Sequence, residues 1–577
     1  MGDNGFSHCP PFIIAAKVVE MDQYSRTKKN ILVFIGILFI TLIIVDRYHW
    51  AQISQWREDQ ATNIWLGYTS GILHIPVGLI SSSTIPNPNG MIILGYFLSF
   101  LPNLLSVSFF LGLTQIFLLS LIGWKFFSRN RRDLLLVTIP SLTSVILRSS
   151  SVEFWNQYTT TLVNILFLFW ALRYLEKPSL WNLPPIMVLI LTAPSLYLAG
   201  VVNAVVIAII TLGMILYKRP ATNNFWLVTS LIVLIILISG LLTWFPYFQN
   251  VSLNQIGNYN QNIPAQFVSK PTLASFLKIP LYVPFQWAKS EIFPFAFKHA
   301  DNHGLSLWAE ILLRWVGTTY LLQTVFAFAA FLFTVFLAWK KQASGQDSNL
   351  TINPATIQLV VLSALIIGLS YSITLCLGGP DWIDAKRPDQ TVQFLPMFLF
   401  LVFLLPVTFM NQGKLQKIIA GLSFAFLILF AVVNLACGQL IIRDRLLFHG
   451  RRLTEADVPL IDKQHVVDFI ANDWRMHSTS NIIPVDYDLG GGRWDWVPEF
   501  GKRLEKWYPA PMTMGRSFDY ELLRRYGLTN QQEGIQLRTF GSGRYLITYV
   551  FEARPQNEHG KITNYIFGRL RVSVVGN

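Results

Sequence analysis

The run Ile31-Leu32-Val33-Phe34-Ile35-Gly36-Ile37-Leu38-Phe39-Ile40-Thr41-Leu42-Ile43-Ile44-Val45, followed eleven residues later by Trp56-Arg57-Glu58-Asp59-Gln60-Ala61, decides the reading of this chain. The first stretch carries no charge and suits the interior of a bilayer, whereas the second places two adjacent acids just beyond it. A polar tail of this length before an apolar run that lacks a small-residue cleavage pattern reads as a signal anchor, not a cleaved signal peptide.

The rest of the chain repeats the theme. Of 577 residues, 52% are hydrophobic, 14% aromatic and only 13% charged, and the mean hydropathy is +0.43. That is too apolar for a soluble enzyme. Taking roughly 20 apolar residues per crossing, we expect about eleven spans, over 31–46, 106–126, 133–150, 158–175, 184–198, 200–217, 224–245, 316–339, 357–378, 394–411 and 418–440. The fifth and sixth run together through Pro194-Ser195-Leu196-Tyr197, which predicts a hairpin there. The expected fold class is therefore a polytopic α-helical membrane protein.

Positive charge sets the expected orientation. Lys17, Arg26, Lys28 and Lys29 precede the first span, and Lys125, Arg129, Arg131 and Arg132 follow the second. Lys177, Lys218-Arg219, Lys340-Lys341 and Lys414 with Lys417 come at every second crossing thereafter. This regularity predicts a cytoplasmic N-terminus in a plasma (inner) membrane, with 47–105, 149–157, 246–315, 379–393 and everything after 440 on the outer side. The formal charge of +13 sits mostly in the cytoplasmic loops, where it serves topology and anionic headgroups; no nucleic-acid module is visible. Three cysteines, Cys9, Cys376 and Cys437, offer no disulfide framework and are assigned mainly to packing, with a bridge between the last two as the alternative.

The first outer segment is the richest. Ala61 to Tyr68 predicts a short interfacial helix, and Gly78 to Gly90, rich in Ser, Pro and Asn, predicts irregular chain. Met91 to Leu101 is apolar but too short to cross, and is expected to lie along the outer leaflet.

On Trp56-Arg57-Glu58-Asp59-Gln60-Ala61 and Gly78 through Gly90, the chain resembles the GT-C (class C) glycosyltransferases, the superfamily of protein O-mannosyltransferases and the lipid A aminoarabinose transferase. The resemblance covers the arrangement of residues 25–440: one span, an outer loop with an acid and interfacial helices, then a Gly/Ser/Pro-rich return. It implies a GT-C-like membrane module at 31–442 and an inverting enzyme that moves a sugar from a polyprenyl-phosphate donor to a hydroxyl on a lipid, protein or polysaccharide acceptor. An acid of the first loop would act as the base, within hydrogen-bond reach of the acceptor. Where many relatives read Asp-Glu-Ala this chain reads Glu-Asp-Gln, so Glu58 and Asp59 both remain candidates. Asp59 is favoured because it precedes the expected helix start and would also cap it; Trp56 and Arg57 are the adjoining substrate-binding candidates. Family members often carry a second acid in the next outer loop, and Glu153 occupies that place, either orienting the acceptor or serving the N-terminus of the fourth helix. Arg148 would pair with Glu153 or touch a headgroup. Lys386 and Arg387, in Asp381-Trp382-Ile383-Asp384-Ala385-Lys386-Arg387-Pro388, are the candidates for the donor phosphate, Arg387 foremost for its bidentate geometry. Anchoring a helix end at the headgroups is the alternative for both.

No metal site and no cofactor is assigned. His299-Ala300-Asp301-Asn302-His303 has ligand-type side chains but no third and fourth partner. The oligosaccharide-transferring relatives are metal-dependent, which keeps a divalent ion as the alternative. The surrounding 246–315 loop is too aromatic for disorder and is read as an acceptor-binding cover.

Residues 443–577 change character and predict a small extracytoplasmic α/β domain after the 1–30 tail and the membrane module. Helices are expected at Asp462–Met476, Glu499–Trp507 and Asp519–Tyr526, with strands at Asn481–Tyr487, Arg544–Glu552 and Thr563–Val575. Asp486 to Trp496 would present acids and aromatics for sugar contact, the alternative being an ordinary Gly-rich turn. A transporter or flippase and a non-catalytic membrane scaffold are the rival function classes. The near absence of charge inside the expected spans argues against the first.

Overall fold

The computed structural model describes residues 36–54, 56, 58–71, 75–79, 86–128, 130–221, 224–251, 272–278, 315, 318–319, 321–329, 332, 354–385, 392–408, 414–447, 458–489, 515–530, 544–550 and 562–575. The chain divides into two units, Met1–His49 and Trp50–Asn577. In the first, residues 36–49 are helical and Arg47 pairs with Asp46 at 3.2 Å.

The second unit is mostly helical. Its first elements are α1 (Glu58–Ser70), α2 (Gly90–Leu98), α3 (Leu104–Phe127), α4 (Arg131–Thr143), α5 (Val145–Ser151), α6 (Asn156–Glu176), α7 (Leu183–Leu196), α8 (Val201–Tyr217), α9 (Phe225–Ser239) and α10 (Phe245–Asn250). After these come α11 (Pro354–Ala385), α12 (Leu395–Thr408) and α13 (Lys414–Leu447). Among the described residues five helical stretches are long and apolar enough to cross a membrane: Leu104–Phe127, Leu198–Tyr217, Phe225–Asn250, Pro354–Cys376 and Ile418–Ile442.

The third expected span is not one straight helix. It breaks at Ser144 into α4 and α5, bent by 62°, and counts as a sixth crossing only if the pair is one span. Pro140 lies in the last turn of α4, and Ser144 gives its side chain to the Leu147 N–H, starting a new helix. The hairpin expected at Pro194–Tyr197 is present as a break: α7 ends at Leu196, a single 3-10 turn follows over Leu198–Gly200, and α8 begins. Cys376 and Cys437 are free thiols; Cys437 is buried as expected, whereas Cys376 is exposed.

The apolar Met91–Leu101 stretch folds as the nine-residue α2, which crosses α1 where two glycines meet. A Cβ on Gly67 would strike the Tyr96 backbone, and one on Gly95 would strike the backbone of Asn63 and Ile64. The Gly78–Gly90 return contains no helix among its described residues before Gly90, and its asparagines do the work of secondary structure. Asn87 exchanges backbone bonds with Gly78 and Leu79 and accepts the Leu198 N–H at 3.2 Å. Asn89 donates to the carbonyls of Ile75 and Leu242, both at 3.0 Å. The Leu242 carbonyl lies in a π-helical turn, Gly240–Trp244, where the ordinary ladder of the helix is interrupted.

At the C-terminal end, α14 (Leu460–His477) and α15 (Arg516–Tyr526) share a core with β1 (Ile482–Ile483), β2 (Val485–Asp488), β3 (Thr529–Asn530), β4 (Tyr545–Tyr549), β5 (Ile562–Phe567) and β6 (Leu570–Val575). The order is β2-β4-β6-β5, with β2 and β4 parallel and the other pairs antiparallel; β1 and β3 form a separate parallel pair. Two expected strands are divided. Pro484, which has no N–H for a ladder, splits the first. Gly568, at φ +56°, turns the expected Thr563–Val575 strand into the β5–β6 hairpin. The helix expected at Glu499–Trp507 and the Gly490–Trp496 run lie outside the described residues.

Candidate functional site

Trp56 is the centre of the first loop, and it is fully buried. Its indole N–H donates to Ser108 Oγ at 2.9 Å, and Ser108 Oγ also meets Ser54 Oγ at 3.0 Å. The Trp56 ring stacks on Phe154 at 5.9 Å with the planes 29° apart. Its carbonyl accepts a 2.7 Å bond from Lys463 Nζ. One residue thus joins the first loop, α3, the turn between α5 and α6, and α14. The Trp56 side chain is a packing and hydrogen-bonding hub.

The acids sit directly after this hub. Helix α1 begins at Glu58, so Glu58 and Asp59 occupy its first turn and Asp59 is not the residue that caps it. An acid in a first turn complements the positive end of the helix dipole. The side chains of both lie outside the described residues, as do Arg57, Lys386, Arg387 and His299 to His303.

Glu153 is half-buried in the turn Val152–Trp155, three residues before α6 begins, and so does not itself start that helix. Its neighbour Phe154 makes the stack on Trp56. The residue two before Glu58 is therefore packed against the residue after Glu153. Arg148 is wholly buried: its Nη2 donates to the Asn434 carbonyl at 2.5 Å and its guanidinium lies 5.7 Å from the Trp50 ring. Gly438 on α13 leaves it room, since a Cβ there would overlap the guanidinium.

A third segment is tied to the same region. Gln393 Oε1 accepts from Thr160 Oγ1 and Asn203 Nδ2, both at 2.8 Å, and the Gln393 carbonyl accepts from Asn164 Nδ2 at 3.1 Å. The chain leaving the Lys386–Arg387 stretch is thereby fastened to α6, the helix that follows Glu153.

Helix α15 lies along α1 and holds the loop from the other side. The Arg516 guanidinium is 4.1 Å from the Trp65 ring centre, Tyr520 meets Tyr68 edge-on at 5.9 Å, and Arg524 donates to the carbonyls of Ser99 and Phe100. Glu521 Oε1 accepts the Leu104 N–H, at the first turn of α3, at 2.6 Å. Burial pushes the Glu521 carboxyl up to about 7, against the opposing pull of the Leu104 N–H and Arg525. Asp519, beside it, accepts from Tyr487 at 2.6 Å and Asn530 at 3.1 Å, and burial raises its carboxyl above the ordinary range despite Arg516 at 3.5 Å.

Lys463 and Glu521 were missed by sequence reasoning. Lys463 had a signal: it falls on the same helical stripe as Val466, Val467 and Ile470, a charged residue in an apolar row. No group of three metal-ligating side chains occurs among the described residues.

No known family profile matches this chain, and no curated protein matches it. Two solved structures are similar to it. They are ArnT from Cupriavidus metallidurans in the apo state, at 11% identity and a TM-score of 0.33, and the same protein bound to undecaprenyl phosphate, at 12% identity and a TM-score of 0.35. Each comparison covers 93% of this chain and 97% of that one. At these scores the similarity assigns neither residues nor activity.

Proposed function

We propose that this chain is a membrane glycosyltransferase of the GT-C kind, which moves a sugar from a polyprenyl-phosphate donor to an acceptor hydroxyl with inversion at the anomeric carbon. The observation that carries this reading is the Trp56–Phe154 stack, which seats the turn leading into Glu58 and Asp59 against the turn holding Glu153. Acids flanking one packed aromatic pair, in a chain with helices apolar enough to cross a membrane, suit a reaction between a lipid-borne donor and a polar acceptor.

In this reading Asp59 takes the proton from the acceptor hydroxyl as its oxygen attacks the anomeric carbon, with Glu58 beside it and Glu153 orienting the acceptor. The bond from that carbon to the phosphate oxygen breaks, and the phosphate leaves on the polyprenol carrying the electron pair. An ionised carboxylate needs no unusual pKa for this task. Arg387, with Lys386, would neutralise the departing phosphate through charge-assisted bonds. We assign no metal to this step.

The test is sugar transfer from a panel of polyprenyl-phosphate monosaccharides by the purified chain in lipid, with and without EDTA. Turnover that survives EDTA and is lost in Asp59→Asn supports the assignment. Full activity of a well-folded Asp59→Asn protein removes Asp59 as the base, and no transfer from any donor with membrane extract as acceptor overturns the reading.

A further inference from the structure

Helices α6, α7 and α9 leave an open groove of about 480 Å³ between them. Its walls include Leu166, Trp170, Trp181, Val188, Leu231 and Ile235, with no charged side chain among them. The volume falls in the roughly 300–1,000 Å³ range of small-ligand clefts. One wall belongs to Phe225–Asn250, the most apolar of the helices long enough to cross, of whose apolar 18-residue stretch only 6% is buried inside the protein. The groove therefore presents an apolar face suited to hydrocarbon.

Its end is built from two short loops that are locked together. The Tyr174 hydroxyl donates to the Lys218 carbonyl at 2.6 Å, Lys218 Nζ donates to the Leu175 carbonyl at 2.7 Å, and Asn182 holds the Lys177 carbonyl at 3.0 Å. Residues Ser179 and Ala221 bridge the two loops. This joint uses Lys218 internally and leaves Arg173, Lys177 and Arg219 exposed around it. The Arg173 guanidinium stands 5.9 Å from the ring of Trp170, one of the wall residues. Glu176 is the sole acid between Tyr158 and Ala221. Trp181 at 44% and Trp226 at 80% exposure set indoles at the same end, the position they favour at a headgroup boundary.

We propose that this groove is a binding site for an anionic phospholipid, one acyl chain lying along the aliphatic wall and the phosphate held by Arg173, Lys177 and Arg219. Charge complementarity selects the occupant: three exposed cations against one acid attract an anionic headgroup and give a zwitterionic one no comparable advantage. The joint between the loops presents those cations on a fixed frame.

The test is native mass spectrometry of the full chain in neutral detergent, titrated with dioleoyl phosphatidylglycerol or dioleoyl phosphatidylcholine. The wild type is expected to retain one phosphatidylglycerol with a preference of roughly tenfold or more over phosphatidylcholine. Replacing the three exposed cations together (R173S, K177S, R219S) should erase the preference, and Val188→Trp, which fills the groove from an exposed position, should remove the bound lipid. Equal retention of the two lipids by the wild type, or undiminished phosphatidylglycerol binding in both variants, overturns the proposal. The readout is lipid retention, so it is independent of sugar transfer.

Discussion

Lys463 Nζ reaches the Trp56 carbonyl at 2.7 Å across 407 residues of sequence, and the same ammonium meets Ser517 Oγ at 3.2 Å. The backbone two residues ahead of Glu58 is thus held by a charge on a C-terminal helix. Lys463→Met keeps the length of the side chain and strands a buried carbonyl, at a cost of ~1–3 kcal/mol. We expect a lower melting temperature, and a fall in turnover at saturating donor with little change in donor KM. An unchanged turnover number would show that this bond does not position the acids.

Trp56 separates two contributions. Trp56→Phe retains an aromatic partner for Phe154 but loses the bond to Ser108, for a loss of ~0.5–1.5 kcal/mol. Trp56→Ala also opens a cavity and should cost ~3–5 kcal/mol. Thermal unfolding of the two variants side by side, with transfer assayed on each, checks the order; equal losses would mean that the ring packing contributes nothing.

Glu521 makes stability depend on pH. Its folded carboxyl titrates at about 7, above its ordinary value of 4.5. Between those values the folded protein holds a proton that the unfolded chain releases, so this group's contribution falls as pH rises and is fully lost above 7. Glu521→Gln keeps an oxygen for the Leu104 N–H and cannot ionise. The melting temperature of the variant should gain on the wild type from pH 5 to about pH 7 and level off above it, whereas a constant difference would remove Glu521 as the source.

The crossing of α1 and α2 leaves no room for side chains at Gly67 and Gly95. Gly95→Ala drives a methyl against the Asn63 carbonyl and the Ile64 backbone, and should destabilise by ~1–3 kcal/mol. The measurement is the melting temperature with the transfer rate; a neutral Gly95→Ala would mean the helices separate freely.

Much of the fold was legible because it follows from local patterns. Leu104–Phe127 and Val201–Tyr217 are continuous apolar runs, and α14 shows its stripe at Val466, Val467 and Ile470. The departures also had local causes that outweighed the average: Pro140 and Ser144 in the bent pair, Pro484 in the split strand, Gly568 in the hairpin. Contacts made at long range were not legible. Arg148 read as a partner of Glu153 or a headgroup contact because Asn434, 286 residues away, carries no trace of the pairing in sequence. The packing role of Trp56 was hidden for the same reason, its partners Ser108, Phe154 and Lys463 lying on three other elements.

The Glu521–Leu104 bond spans 417 residues, and with Lys463–Trp56 it ties the earliest loop of this unit to segments synthesised near the end. Closing so long a loop carries an entropic cost that only completed tertiary contacts offset. A ribosome that has released everything up to α13 has made both acids of the first turn but neither of the side chains that hold its frame. A chain cut after α13 lacks both of these ties, and its first loop is expected to lose the frame they provide.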